Sequence, residues 1–433
     1  KDWNISRQLW WGHRLPIWYC VACDTPVASI KEPKGKCAHC GDHAFRQDDD
    51  TLDTWFSSGL WTFSTLGWPD EASRDLKRFH PTSVLGTGWD ILFFWVARMM
   101  MFSLYLRDEV PFKTIYLHGL VMNEAGKKMS KSKGTGVDPL PMADKYGTDA
   151  LRLSLVVGTA PGLDFRMSEQ KIAGQRNYCN KQWNISRYAL SQPRPKTKTA
   201  KAISLAEKWI MARLDSVSAE VTRHLEKYQF GLAVEALQEF IWKDLADWYL
   251  EIHKVEKNTA ILRHVLRQSL ILLHPFAPFI TETIWRAFGE KQLLMIETWP
   301  KHKSGSASVA TIKAFSNVQR LVVGLRNLKL HGNRNQAVTV GLSTRDQTLL
   351  EKLTGVTIKK LTGPFVTIAG TKVTADPAVI TAFSEWRTKE REQLQSYIAN
   401  KKKLADNAKA PEHIREQALA DQDAAESRLA ELA

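Results

Sequence analysis

The sequence predicts a multidomain protein, α/β in its first part and all-α in its second, and three observations carry that prediction. First, an apolar strand-type run at 114–121 contains His118-Gly119, precedes a lysine-rich loop at 127–134, and is followed by a helix opening at 146–152. Strand, anion-seeking loop, helix is the order found at the carboxyl edge of a nucleotide-binding sheet. Second, from about Asp164 onward the apolar residues take up a helical period. Third, two Cys-x-x-Cys knuckles near the beginning mark a small module of their own.

Length and charge set the bounds. A chain of 433 residues has room for about three buried cores. Its 60 Lys and Arg against 46 Asp and Glu leave a formal charge of +14, which favours a polyanionic partner. No run of about 18 apolar residues and no secretory leader is read, so the expectation is a cytoplasmic protein with no membrane. Four of the five cysteines are clustered, which points to metal ligation in a reducing compartment over a disulfide frame. The fifth, Cys179, reads as a buried helix position.

Taken in order, the knuckles come first. Cys20, Cys23, Cys37 and Cys40 form two pairs with 13 residues between them, so four thiolates can converge on a structural Zn²⁺. The gap is a little shorter than the usual template of about 15–20 residues, and His39 is an alternative ligand less well placed than Cys40. Four thiolates leave no open position, so this metal has no catalytic role.

Residues 53–101 read as two strand–loop–helix pieces. Asp90 stands at the start of an apolar helix, and Ile91 and Trp95, four apart, share a face of it. By pattern alone these are helix core and an N-terminal cap. A carboxylate beside an aromatic–aliphatic wall also suits the ammonium and side chain of a small apolar amino acid.

The loop Lys127-Lys128-Met129-Ser130-Lys131-Ser132-Lys133-Gly134 holds four lysines and two serines. A lysine run is ordinarily a solvated surface. Placed between strand and helix, its ammonium groups can follow phosphate oxygens whose charge moves during a reaction, with hydroxyls and loop N–H groups as neutral donors.

Farther on, Trp209, Ile210, Arg213, Leu214 and Val217 mark an amphipathic helix, and the aromatic-rich stretches 240–251 and 274–282 continue a helical bundle. Residues 301–380 contain short β-like runs and read as a small α+β unit. The end of the chain reads as a helical hairpin, Leu394 to Leu404 and then a helix opened by Pro411. Lys401, Lys402, Lys403 and Lys409 gather near its tip.

With these residues in view, Lys128-Met129-Ser130-Lys131-Ser132 resembles the second signature of the class I aminoacyl-tRNA synthetases. The stretches 61–69 and 86–101 are similar to the valyl branch of that family, less so to the isoleucyl and leucyl branches. The resemblance implies the carboxyl-terminal half of a Rossmann-like catalytic domain at 1–168, with a zinc ribbon at about 18–44 and the phosphate loop at 127–134. It further implies a helical anticodon-binding domain at 169–300, the small unit at 301–380, and a coiled-coil tRNA-binding arm at 381–433.

The implied activity is ATP-dependent attachment of valine to its tRNA through a valyl-adenylate, with Mg²⁺ accompanying ATP and a monomeric enzyme. The implied residues are Lys128 and Lys131 for catalysis. Gly86, Gly88, His118, Gly119, Met129, Ser130, Lys131 and Ser132 would hold ATP. Trp55, Asp90, Ile91 and Trp95 would hold valine, and the four hairpin lysines tRNA. The motif at 4–16, with Asn4 where the family commonly has Cys, marks re-entry into the catalytic domain after an editing domain. The family's first signature, His-x-Gly-His, and the editing domain are absent. The expectation is therefore a carboxyl-terminal portion that does not aminoacylate alone. An isoleucyl enzyme, or a non-catalytic zinc-containing tRNA-binding protein, are the competing readings.

Overall fold

The structure, a computed structural model, describes residues 2–129, 138–195, 201–301, 306–332, 336–341 and 344–432. They form two compact units, Lys1–Gly136 with Thr159–Met167, and Val137–Gly158 with Ser168–Ala433.

In the first unit, three short antiparallel strands make a ribbon, with Ile17–Cys20 between Pro26–Ala28 and Phe45–Gln47. The chain then pairs Thr51–Leu52 with Ser6–Arg7 and enters the helix Thr54–Gly59, capped by the Asp53 carboxylate on the Trp55 N–H. The strands Thr82–Gly88 and Phe112–His118 lie parallel, Gly88 opposite His118. The chain between them covers one face, and Leu85, Val96, Met99 and Phe112 form the shared apolar contact. A second parallel pair, Val121–Met122 with Phe165–Arg166, follows.

The covering segment departs from the regular helix that the sequence predicts. Trp89–Ile91 is a 3₁₀ turn, Leu92–Val96 is π-helical, and α-helix begins only at Ala97, running to Arg107. Ile91 itself sits at φ −111°, ψ 17°, outside helical values. Residues 91 and 95 therefore do not sit on one regular α-helical face of 3.6 residues per turn, as the sequence predicts. By length and composition Trp89–Arg107 also passes as a membrane span. Its buried residues instead pack on the two strands.

The second unit is mainly helical. Glu169–Ser191, Leu205–Glu226, Phe230–Glu239, Thr259–Leu273, Pro278–Ala287 and Ser306–Leu330 are its long elements. The period read at Trp209, Ile210, Leu214 and Val217 is a buried stripe, with Trp209 stacked on Phe315 at 4.2 Å. Arg213, at the edge of that stripe, pairs with Asp244 at 2.7 Å. The 240–251 stretch opens as a π-helix over Phe240–Tyr249. A four-stranded sheet follows, in the order Thr357–Ile358, Ala337–Val340, Thr371–Thr374, Phe365–Ile368. The helices Pro377–Ala405 and Glu412–Glu431 then pack antiparallel, joined by Lys401–Asp421 and Arg428–Glu390 ion pairs at 2.6 and 2.7 Å.

One clamp in this unit spans more than a hundred residues. Asp149, buried, accepts the N–H groups of Phe279 and Ile280 at 3.3 and 2.6 Å, at the start of Pro278–Ala287. Arg152 donates to the carbonyls of Pro275 and Phe276 at 3.1 and 3.2 Å. A carboxylate at a helix start and a guanidinium on free carbonyls satisfy groups that the helices leave open.

Candidate functional site

The carboxyl ends of the two long parallel strands bring several of the singled-out residues together. Directly after Gly88, the Asp90 carboxylate takes an ion pair from Lys128 at 2.8 Å. The Lys128 hydrogen bond first, then its charge, a backbone N–H and the nearby His118, hold Asp90 below the usual carboxylate range, outweighing the opposing effect of burial. Lys128 is held by a tight turn: the Asn123 N–H donates to the Lys127 carbonyl at 2.9 Å, and the Lys127 N–H to Asn123 Oδ1 at 2.9 Å. Gly126 supplies the left-handed φ of 74° this turn requires. The Met129 N–H reaches the Val121 carbonyl at 3.2 Å. Ser130, Lys131 and Ser132 lie outside the described residues.

The glycines of this edge differ in kind. A Cβ on Gly119 would sit 1.7 Å from the Leu163 carbonyl oxygen, so the chain's own backbone demands glycine there. A Cβ on Gly88 would meet Asp90 Oδ1 at 2.6 Å. At Gly86 none of the described residues comes within 4 Å of that point. His118 Nδ1 donates to the Gly119 carbonyl at 3.0 Å. Asp164, absent from the sequence-level candidates, ties this edge together. It accepts the Leu120 N–H at 2.7 Å and the Trp89 indole N–H at 3.0 Å, and these bonds lower its pKa. Its signal was an isolated acid between glycine-rich and strand-like residues, which nothing in sequence spacing ties to Trp89.

The aromatic wall takes its place from the helix Thr54–Gly59. Trp95 donates its indole N–H to the Ser58 carbonyl at 3.1 Å and lies 6.1 Å from Trp61. Trp55 stacks on Phe94 at 6.1 Å. Ile91 is half-buried beside this group in sequence, within the 3₁₀ turn.

Beneath the wall, Asp53 binds the Trp3 indole N–H at 2.9 Å and Arg7 at 2.7 Å, with Arg98 at 3.7 Å. Burial works to raise its pKa, but Trp3, the Trp55 N–H and the two guanidinium groups outweigh it and lower the value. Asp53→Ala strands these donors and is expected to cost about 3 kcal/mol in chemical denaturation at pH 7. Because the folded pKa is depressed, this contribution is present above the unfolded value of about 3.9 and fades as pH falls through the folded one. The stability gap between variant and parent should therefore close in the acid range.

At the ribbon, both knuckles have the same form. The Asp24 N–H bonds to the Cys20 carbonyl and the Gly41 N–H to the Cys37 carbonyl, each at 2.9 Å. Asp24 and Gly41 take matching left-handed φ values of 58° and 79°. The four Sγ atoms lie within 4.8 Å of one another, with Cys20–Cys40 at 3.4 Å and Cys23–Cys37 at 3.6 Å. These separations are too long for a disulfide, at about 2.05 Å, and near the spacing about 2.3 Å bonds impose around a tetrahedral Zn²⁺. The Thr25 hydroxyl and N–H, then the Cys40 and Cys20 thiols, pull Cys23 down to about 5. The Asp42 N–H opposes a rise at Cys40, yet Cys23 and Cys20 push that thiol up to about 12. The donor set is soft and convergent, as a zinc site requires.

The hairpin lysines separate. Lys401 is drawn onto Asp421 and lies 5.1 Å from the Tyr397 ring, whereas Lys402, Lys403 and Lys409 are exposed.

Comparison with known proteins adds the following. Residues 1–168 match the family model "tRNA synthetases class I (I, L, M and V)", and 207–342 match "Anticodon-binding domain of tRNA ligase". A valine–tRNA ligase of Clostridium tetani is 45% identical over 345 residues, covering 76% of this chain and 39% of that protein. That of Syntrophotalea carbinolica is 44% identical over 353 residues, 76% of this chain and 38% of its own. The chain thus spans about two fifths of the length of these relatives. Among solved structures, a leucyl enzyme from Agrobacterium radiobacter K84, in a ternary complex with tRNA and LeuAMS, superposes with a TM-score of 0.57. It is 22% identical, over 72% of this chain and 43% of that one. Methionyl-tRNA synthetase of Mycobacterium tuberculosis, bound by methionyl-adenylate, gives 0.51 at 23% identity, over 67% and 55%. At these identities the likeness concerns the fold.

Proposed function

The chain belongs to the class I tRNA synthetases, and on that premise we propose that the protein containing it attaches valine to tRNA. The observation that carries the choice of amino acid is the 45% identity to a valine–tRNA ligase, sustained over 345 residues. In the first step the valine carboxylate attacks the α-phosphorus of ATP and expels pyrophosphate, leaving valyl-adenylate. In the second, a hydroxyl of the terminal adenosine of tRNA attacks the carbonyl carbon and AMP departs. No nucleophilic side chain is needed, since positioning and charge stabilisation do the catalysis.

In this reading Asp90 accepts the valine ammonium, and Trp55, Ile91 and Trp95 bound its side chain. Gly86, Gly88, His118 and Gly119 form the edge over which ATP lies. Lys128 and Lys131, with Met129, Ser130 and Ser132, follow the triphosphate, and Mg²⁺ brought with ATP would offset its charge. The ribbon at 18–44 holds structural zinc through Cys20, Cys23, Cys37 and Cys40. The helical domain at 169–300 and the arm at 381–433 carry the tRNA, with Lys402, Lys403 and Lys409 free to meet phosphate and Lys401 available once released from Asp421. The small unit at 301–380 receives no role.

A wall of aromatic residues excludes larger side chains but separates valine from the isosteric threonine by only about 10²-fold. ATP–pyrophosphate exchange by the native protein that contains these residues, with valine, isoleucine and threonine compared, tests the proposal. Exchange driven best by valine, and lost in Lys131→Ala, is the expected result. Exchange driven best by isoleucine would overturn the pocket, and none with any amino acid would overturn the enzyme.

A further inference from the structure

The segment Trp89–Val96 carries Asp90, Ile91 and Trp95, and its backbone keeps two pitches in succession. The Leu92 N–H returns to the Trp89 carbonyl, three residues back, and the Ala97 N–H to the Leu92 carbonyl, five residues back. Stretches of 3₁₀ stay short because their hydrogen bonds are poorer than α-helical ones, and π turns are rare. Keeping one directly after the other takes tethers. Two indole N–H groups supply them, one at each end. Trp95 donates to the Ser58 carbonyl at 3.1 Å, and Trp89 donates to Asp164 Oδ1 at 3.0 Å.

Asp164 is a firm anchor. Its segment is zipped along the strand end by backbone bonds: the Gly162 N–H to the Leu117 carbonyl at 2.8 Å, Phe165 to Leu120 at 3.1 Å, and Met167 to Met122 at 2.9 Å. The same Oδ1 accepts the Leu120 N–H at 2.7 Å, which fixes the carboxylate against that rail. On the other side of the tether, Asp90 lies tight over Gly88, where a Cβ would meet its Oδ1 at 2.6 Å. The Asp90 carboxylate therefore follows any rotation of the turn. Passing from about 120° per residue to the roughly 100° of an α-helix would swing Asp90 by about 20° and Ile91 by about 40°.

We propose that Asp164 is a positioning residue for amino-acid activation: by tethering Trp89 it holds the 3₁₀ turn that aims Asp90 at the valine ammonium. The inference rests on the valine-activating reading above and adds to it a residue that acts through Trp89 and Asp90.

The test is pyrophosphate exchange by the native protein containing these residues, with KM measured separately for valine and ATP and active sites counted. Trp89→Phe keeps an aromatic ring and removes the N–H. It should raise the KM for valine about tenfold and leave that for ATP within about twofold. Asp164→Ala should raise the KM for valine by a similar factor and, by freeing Leu120 beside Gly119, that for ATP as well. The double variant should be no worse for valine than Asp164→Ala, because both changes remove one tether. Asp164→Asn, whose amide oxygen can accept both N–H groups, should stay within about threefold of the parent. A parental KM for valine in Trp89→Phe and Asp164→Ala would overturn the inference while leaving the enzyme intact. Losses that multiply to about a hundredfold in the double variant would overturn it too, as would a fall in kcat that only follows the active-site count, the mark of a residue serving the fold alone. Absence of exchange from the unsubstituted protein would instead remove the enzyme reading. Amide hydrogen exchange over 89–96 then decides the tether: altered rates in Trp89→Phe support it, and parental rates overturn it.

Discussion

Asp90→Ala is expected to raise the KM for valine in pyrophosphate exchange by about ten- to a hundredfold, the range set by a charge-assisted hydrogen bond of about 1.5–3 kcal/mol. The loss should fall mainly on KM, because the ammonium is held equally in ground and transition states. The companion change sharpens the test. In the structure the Asp90 carboxylate is engaged by Lys128, so an incoming ammonium must displace that side chain. With Lys128 more than half exposed, such a pair is worth at most about 1 kcal/mol. Lys128→Met should therefore tighten valine binding, measured without ATP by calorimetry, by no more than about fivefold. The same substitution should lower the exchange rate by removing a cation from the departing pyrophosphate. Opposite signs in one variant distinguish this arrangement from a lysine that merely stabilises the fold, for which both quantities would fall. Weaker valine binding in Lys128→Met would remove the competition argument.

Cys37→Ser is expected to empty the ribbon of metal and unfold it. The strands of the ribbon have four, three and three residues, and Cys20 and Cys37 are its buried cysteines. A sheet this small does not hold itself together in water, so metal binding supplies its folding free energy. Elemental analysis should find about one zinc per parental chain and close to none in the variant. Limited proteolysis should then cut within 18–44. The effect should spread, since Asp48–Asp50 leave the ribbon bonded to Tyr19, Arg14 and Gln8 and lead straight into Asp53 and the helix bearing Trp55. Exchange activity should fall with zinc content. Retention of both after the substitution would refute a four-cysteine site.

Features written in short-range chemistry were legible in the sequence. The paired knuckles announced themselves by the spacing of Cys20, Cys23, Cys37 and Cys40. The buried stripe at Trp209, Ile210, Leu214 and Val217 followed from period alone. What escaped had no local mark. The 3₁₀-to-π passage at 89–96 lies in a run whose one polar residue, Asp90, is too little to reveal its pitch. The strand Phe165–Arg166 is two residues long and takes its identity from a partner more than forty residues earlier, so the sequence read helix there. The clamp of Asp149 on the Phe279 and Ile280 N–H groups joins residues 130 apart, which no local pattern encodes. Asp164 likewise owes its place to contacts with Trp89 and Leu120 that spacing does not encode.

Gly119 and Gly86 stand one strand apart on the same edge, yet descent bears on them differently. At 119 the Leu163 carbonyl forbids any side chain, so this backbone demands glycine whether or not anything binds beside it. At 86 the described residues impose no such veto, and there alanine or serine would meet none of them. Glycine retained at 86 across a lineage would consequently be the imprint of a molecule outside the polypeptide, and its abandonment in some branch would mark where that molecule was given up.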